Sequence, residues 1–179
     1  MNNADRKKKA DRILYEFGLL DKLNEIGIPH IIGSYRMNMM AWNDLDIDIE
    51  NDGMSLDKLY QLSAYIIKSF HPVWYEAKEE ITQEGKRVWF HGFETTITGE
   101  LWNVDLWFFD KETIDNAEEY CDTILSKTTL VQRDIIVNIK KELIEQGLYS
   151  FEQYKSMDVY KAVVENNVRN VDEFLSLFK

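Results

Sequence analysis

Three aspartates alternate with aliphatic residues between Asp44 and Ile49, the most informative chemical pattern in this 179-residue chain. A period of two is typical of a β-strand, in which residues i and i+2 point to one face about 6.6–7 Å apart. Asp44, Asp46 and Asp48 would then share a face, while the aliphatic residues face the core. Carboxylates in such a row repel one another unless a cation lies among them or the outer ones reach solvent. Since hard oxygen ligands suit Mg²⁺ or Mn²⁺, we expect a divalent metal here, and the alternative is a solvated acidic face.

The same acidic run also resembles the start of a calcium loop of the EF-hand type. That loop requires Gly at its sixth position and Glu at its twelfth. Counting from each of the three aspartates in turn, no register supplies both residues. The count from Asp48 does find Gly53, but its twelfth position is then Leu59. The sequence therefore argues against a calcium loop.

A second feature is a short apolar run, His30–Ile32, that leads into Gly33 and Ser34. It predicts a strand followed by a short helix. Backbone N–H groups at such a turn, with the Ser34 hydroxyl, could seat an anion, and Gly33 has no side chain to block a phosphate. Arg36 follows and could pair with a phosphate or form a surface salt bridge. A Gly-Ser pair is common in turns, so by itself it does not indicate a phosphate site.

A further carboxylate, Asp105, interrupts an apolar segment that runs from Leu101 to Phe109 and predicts a strand. Burying an unpaired charge there is costly, so Asp105 needs a partner or water. One interpretation is a structural aspartate whose hydrogen bonds are satisfied locally. The other is a carboxylate that an adjacent strand brings beside Asp44 and Asp46.

The rest of the pattern predicts the elements that must position these residues. Helices are expected over 5–26, through 37–40, and over 55–70, 113–125 and 130–146, with two short ones starting near Ser150 and Asn170. Strands are expected over 30–32, 45–49, 73–77, 88–93 and 101–109. This is an α+β (mixed α/β) class, with helices packed on one side of a small sheet and a helical C-terminal tail. We expect a core over residues 1–110 and a helical region over 111–179.

Charge and composition narrow the classes of function. With 21 basic and 32 acidic residues, the net charge is −11, and such a surface repels phosphate backbones, which argues against a nucleic-acid partner. One cysteine, Cys121, excludes a disulfide framework and a cysteine-built zinc site. No run of 18 apolar residues and no apolar export segment is present, so we expect a cytoplasmic protein without a membrane partner. The sequence leaves the oligomeric state open.

Other candidate side chains favour structural roles. The three histidines lack the spacing of a metal site, and we expect them to be structural; they are His30, His71 and His91. Cations of the helical tail could reach a triphosphate, although solvated helix charges are the simpler interpretation; they are Lys127, Arg133 and Lys140.

Three motifs in this order resemble the signature of the polymerase-beta-like nucleotidyltransferases; they stand here as Gly33-Ser34, Asp44-Leu45-Asp46 and Val104-Asp105-Leu106. Small members that modify lincosamide or aminoglycoside antibiotics look closest in size and in the Asp-x-Asp-x-Asp run. The resemblance covers residues 30–109. The family usually has a Gly shortly after Gly-Ser and a Ser just before the first Asp, where this chain has 37–40 (Met-Asn-Met-Met) and Asn43. These departures bear on the phosphate loop and on the choice of nucleotide.

The resemblance implies a fold, a reaction and a site. Asp44 and Asp46 would hold Mg²⁺ (or Mn²⁺), and Asp105 would complete a second metal site or act as general base. Gly33, Ser34 and Arg36 would contact the phosphates of an NTP co-substrate. A nucleoside monophosphate would move to a hydroxyl of a small molecule or a protein, releasing pyrophosphate. The alternative is a non-catalytic module of the same fold, such as a nucleotide sensor or one partner of a toxin–antitoxin pair.

Overall fold

A five-stranded mixed sheet carries the acidic segment on its second strand, as seen in a computed structural model that describes residues 3–50, 53–82, 84–150 and 152–178. The strands are β1 (Pro29–Ile31), β2 (Asp44–Glu50), β3 (Trp74–Ile81), β4 (Arg87–Ile97) and β5 (Glu100–Phe109). Their spatial order is β1-β2-β5-β4-β3. The β2–β5 pair is parallel and the other three pairs are antiparallel. The predicted α+β class is confirmed.

The described residues also form eight α-helices. They are α1 (Asn3–Asp11), α2 (Leu19–Asn24), α3 (Gly33–Arg36), α4 (Leu56–Phe70), α5 (Lys111–Lys127), α6 (Leu130–Glu145), α7 (Ser156–Asn166) and α8 (Val171–Ser176). No helix in the described ranges is both long enough and apolar enough to cross a membrane.

The first helical stretch is broken, although the sequence predicts one continuous helix over 5–26. A π-helical segment, Arg12–Glu16, follows α1, and Gly18 then adopts a left-handed conformation with φ 73° before α2. Glycine takes this conformation without the penalty of a Cβ atom, so the chain can turn here while its apolar residues stay on the sheet. Ile13 and Leu23, on either side of the break, are both fully buried.

Alternation along β5 divides the sheet into a covered face and an open face. Val104 and Leu106 are fully buried in an apolar cluster with residues of α1, α2 and α4. Asn103, Asp105 and Trp107 point to the opposite face and are partly exposed. Ser55 caps α4 by accepting a hydrogen bond from the Lys58 backbone N–H, as its sequence predicts.

The C-terminal helices form a second apolar cluster, which packs against the segment after α3. Met37, Met39 and Ala41 are buried among residues of α5, α6, α7 and α8. Because this cluster draws on both parts of the chain, the boundary between 1–110 and 111–179 stays a prediction. Asn170 caps α8 as expected, but a helix start near Ser150 is wrong, because the chain turns there and α7 begins at Ser156.

Candidate metal centre

The parallel register of β2 and β5 brings three of the predicted carboxylates together. Asp46 lies directly opposite Asp105, and Asp44 lies opposite Asn103. One carboxylate oxygen from each of Asp44, Asp46 and Asp105 lies within 4.8 Å of the others, and all three residues are partly buried. We call these three residues the aspartate cluster. Its oxygen-only donor set suits Mg²⁺ or Mn²⁺.

Asp48 shares the face of the aspartate cluster but has different neighbours. Its partners across the sheet are His30 on β1 and Trp107 on β5. The side chain is almost fully buried, and burial raises the pKa of Asp48 to about 7, while the charge of His30 acts in the opposite direction. Asp48 is not part of the group whose oxygens approach one another.

Burial, and for Asp46 and Asp105 also repulsion between carboxylates, disfavours the charged forms of the aspartate cluster. Burial, followed by the charges of Asp44 and Asp105, holds the pKa of Asp46 well above its usual range. Burial and the charge of Asp44 raise the pKa of Asp105 to about 6. Burial also raises the pKa of Asp44, against the hydrogen bond that Asn103 Nδ2 donates to Asp44 Oδ1 at 2.8 Å. A bound cation would relieve this repulsion.

Lys140 of α6 is the cation that faces the aspartate cluster, and sequence reasoning gave it no special weight. Its side chain is fully buried, with Nζ 3.3 Å from Tyr160 Oη and 4.6 Å from the centre of the Trp42 ring. Burial lowers the pKa of Lys140 to about 8, although Asp44 and Asp46 stabilise the charged form. The sequence signal that could have identified Lys140 was its position on the buried side of an amphipathic helix.

Lys140→Met should strengthen Mg²⁺ binding in the absence of nucleotide by about three- to tenfold, because a buried like charge no longer opposes the ion. Calorimetric titration with Mg²⁺ at about pH 7 measures this, since Lys140 is then mostly charged with a pKa of about 8. Lys141→Met is the control. Unchanged or weaker Mg²⁺ binding in Lys140→Met alone would mean that this ammonium does not act on the metal.

Gly33 is required by its contact with Asp46. Its φ of 63° is left-handed, and a Cβ atom built on it would overlap Asp46 Oδ2. The Gly33 backbone also hydrogen-bonds to the Cys121 thiol, whose pKa is raised by burial. Ser34 is buried beside it. The turn therefore touches the aspartate cluster, and phosphate binding by Gly33 and Ser34 stays a prediction.

Gly33→Ala should lower the melting temperature by about 2–8 °C, because a left-handed alanine costs about 1–2 kcal/mol. It should also weaken Mg²⁺ binding, because the new methyl group displaces Asp46. Gly85→Ala is the matched control, since Gly85 has φ 79° and nothing within 4 Å of its Cβ position. Equal effects of the two substitutions on melting and on Mg²⁺ affinity would show that Gly33 does not support the cluster.

Arg36 pairs with α5. Its Nη1 lies 2.6 Å from Glu118 Oε1, and its Nη2 lies 3.1 Å from both carboxylate oxygens of Asp122. This geometry matches the salt-bridge alternative, and phosphate binding by Arg36 stays a prediction. His91 is fully buried beside Tyr75, and His71 is the C-terminal cap of α4. His30 lies 3.4 Å from carboxylate oxygens of Glu50 and Glu118. That the three histidines are structural stays a prediction.

The fold of this chain is shared with solved nucleotidyltransferase structures. No protein-family model matches the sequence, and no curated protein matches it. The Cid1 poly(U) polymerase with Mg and 3′-dATP aligns with a TM-score of 0.61 and 15% identity, over 89% of this chain and 48% of that chain.

Two further solved structures align with similar TM-scores and sequence identities. A cytoplasmic RNA terminal U-transferase aligns with a TM-score of 0.58 and 16% identity, over 89% of this chain and 47% of that one. The non-canonical poly(A) polymerase GLD-2, in its complex with GLD-3, aligns with a TM-score of 0.54 and 15% identity, over 90% of this chain and 56% of that one. This chain thus spans about half the length of its neighbours. These structures do not show the predicted likeness to antibiotic-modifying members. Their titles name RNA or poly(U) and poly(A) polymerases, so the comparison does not bear out the argument against a nucleic-acid partner.

Proposed function

We propose that this protein is a metal-dependent nucleotidyltransferase that moves a nucleoside monophosphate from an NTP to a hydroxyl group. In this reaction the acceptor oxygen bonds to the α-phosphorus, the bond from that phosphorus to the β-phosphate oxygen breaks, and pyrophosphate leaves. The observation that supports the proposal is the β2–β5 register, which sets Asp46 opposite Asp105 with Asp44 beside them.

Each residue of the site would have a separate role in this reaction. Asp44 and Asp46 would hold Mg²⁺ or Mn²⁺, which supplies charge neutralisation at the phosphates. Asp105 would accept the proton of the acceptor hydroxyl, and a pKa of about 6 suits a general base near neutral pH; its other role would be that of a ligand to a second metal. Asn103 holds the Asp44 carboxylate through its 2.8 Å hydrogen bond. Lys140 adds positive charge on the side of Asp44 and Asp46.

The acceptor in this proposal is a small hydroxylated molecule or a protein. A net charge of −11 supports it, because negative surface charge disfavours polyanionic acceptors. RNA is the acceptor that the structural neighbours suggest, and it is tested alongside.

Incubation of the purified chain with α-³²P-labelled NTPs and Mg²⁺ tests the proposal. The expected result is Mg²⁺-dependent binding of at least one NTP, with label transferred and pyrophosphate released when a suitable acceptor is present. EDTA and Asp46→Asn should each abolish both signals. NTP binding without turnover across a broad acceptor panel would favour the non-catalytic sensor. Absence of any Mg²⁺-dependent NTP binding would contradict the nucleotidyltransferase itself.

A further inference from the structure

The helix α4 carries two lines of apolar residues, and only one of them is buried. The first line packs on the sheet with the spacing of an amphipathic helix; it consists of Leu59, Leu62, Ile66 and Phe70. The second line has spacings of four, four and three positions and lies on the outer surface of the helix; it consists of Leu56, Tyr60, Ala64 and Ile67. We call this second line the outer stripe.

The outer stripe is open to solvent over its whole length. Tyr60 is 67% exposed, Leu56 56% and Ile67 50%, and Ala64 between them is exposed as well. At about 100° per residue, the stripe is centred about a quarter turn from the buried line, so it points past the sheet rather than onto it. Large apolar side chains that lie together on a surface mark an interaction site, whereas single ones do not.

The edge strand β3 lies beside the outer stripe and extends this apolar surface. Tyr75 Oη donates a hydrogen bond to Ser63 Oγ at 2.5 Å. Tyr60 and Ile67 lie three and four positions from Ser63, and therefore on the same side of α4. Val73, two residues before Tyr75 and on the same face of the strand, is exposed. The apolar surface therefore reaches from α4 towards the edge of the sheet.

The outer stripe is complementary to itself when two copies of α4 run antiparallel about a two-fold axis near Leu62. Tyr60 of one copy then lies opposite Ala64 of the other. The largest side chain of the stripe thus meets the smallest, as the packing of ridges into grooves requires. Leu56 in turn lies opposite Ile67, so the whole stripe is covered in one register.

Two charged residues beside the stripe fit the same register. Asp57 in the first turn and Lys68 in the last turn of α4 are both exposed. Neither forms an ion pair within the described part of the chain. In the antiparallel pair, Asp57 of each copy lies opposite Lys68 of the other, so two ion pairs flank the apolar contact. A parallel pair would instead set like charges side by side.

We propose that the outer stripe is a homodimer interface, in which α4 of one copy packs antiparallel on α4 of a second copy. The occupant is a second copy because shape and charge both match their own image about one axis. The buried line of α4 packs in the cluster that covers Val104 and Leu106, whereas the aspartate cluster lies on the other face of the sheet. Dimerisation therefore leaves both aspartate clusters accessible.

Sedimentation equilibrium of the purified chain at low salt, from about 1 to about 200 µM protein, tests the proposal. One variant, Ala64→Arg, places a bulky charge at the centre of the stripe. Two further variants, Asp57→Lys and Lys68→Asp, each reverse one flanking charge and are examined separately and as an equimolar mixture. The control is Met157→Glu, which changes an exposed apolar residue of α7 outside the stripe.

We expect the wild type and Met157→Glu to dimerise alike, with a dissociation constant in the micromolar range, since a single helix pair is a small interface. Ala64→Arg should weaken dimerisation about tenfold or more. Each charge reversal alone should weaken it about fivefold or more, because it sets like charges opposite each other twice. The mixture of Asp57→Lys with Lys68→Asp should recover the wild-type affinity as a heterodimer, since both ion pairs are then restored.

A wild type that stays monomeric up to about 200 µM would overturn the proposal. So would a dimer that Ala64→Arg leaves intact, or one that Met157→Glu weakens to the same extent. A mixture of the two charge variants that dimerises no better than either alone would exclude the antiparallel register and the interface with it. Thermal melts accompany each variant, and if Ala64→Arg fails to fold, the charge variants and their mixture decide the outcome.

Discussion

Asp46→Asn should abolish Mg²⁺-dependent NTP binding and turnover. In metal-free protein at a pH above 7, the same substitution should raise the melting temperature. Asp46 is the central carboxylate, opposite Asp105 and next to Asp44 on its own strand. Loss of a metal ligand removes several kcal/mol of charge stabilisation from the reaction, and about 4 kcal/mol corresponds to about a thousandfold in rate. Activity should therefore fall by about that factor or more.

The rise in stability follows from the direction of the pKa shift. Burial and two neighbouring carboxylates raise the folded-state pKa of Asp46 above its unfolded value. Such a group favours folding when it is protonated at low pH, and this contribution is lost as the pH rises through the folded-state pKa. Asparagine stays neutral, so its advantage over aspartate should be near zero at about pH 4 and should grow as the pH increases.

Asp48→Asn is the matched control, since Asp48 lies on the same strand and face outside the aspartate cluster. Its pKa of about 7 means that Asp48→Asn should also stabilise the metal-free protein at high pH, but Mg²⁺–NTP binding should persist. Thermal melts across the pH range and nucleotide titrations measure both effects. A clear loss of metal-free stability in Asp46→Asn would show that Asp46 is structural.

Asp105→Asn should separate catalysis from binding. Within the aspartate cluster, Asp105 is the member on β5, next to a cavity formed with β4 and β3, so its loss should affect the acceptor side more than the nucleotide. We expect turnover to fall by about 10²–10⁴-fold, the usual contribution of a general base. Affinity for Mg²⁺ and a non-hydrolysable NTP should change by less than about threefold, well below 1 kcal/mol.

Single-turnover kinetics and calorimetry on the same Asp105→Asn preparation measure this separation. Equal losses of binding and turnover would make Asp105 a metal ligand of the same rank as Asp46. Unchanged turnover would remove Asp105 from the site and leave a structural aspartate held by its neighbours.

Local patterns predicted most of the elements. The alternation of Asp44 to Ile49 predicted β2 and its acidic face, and Ser55 predicted the start of α4, because both depend on short-range periodicity or capping. The break at Gly18 was not predicted, since the apolar spacing continues on both sides of it. The start of α7 at Ser156 was also missed, because the spacing of Ser150 and Gln153, which resembles a helix cap, occurs in turns as well.

Long-range pairing explains what the sequence leaves open. That Asp105 belongs beside Asp46 depends on the parallel β2–β5 register, which joins residues 59 positions apart in the chain. The sequence offered the family resemblance for this juxtaposition, and the structure supplies the geometry. The only local signal for Lys140 was its place on the buried side of α6, and a helix lysine is common. That it faces the aspartate cluster depends on how α6 packs.

A crystal structure of the chain with Mn²⁺ and a non-hydrolysable NTP, read from the anomalous signal of manganese, tests the central claim most directly. The prediction is at least one Mn²⁺ bound to carboxylate oxygens of both Asp44 and Asp46, with the triphosphate on the same ion and Asp105 facing the α-phosphorus. Nucleotide bound elsewhere on the chain, or an aspartate cluster without Mn²⁺ at saturating metal and nucleotide, would contradict it.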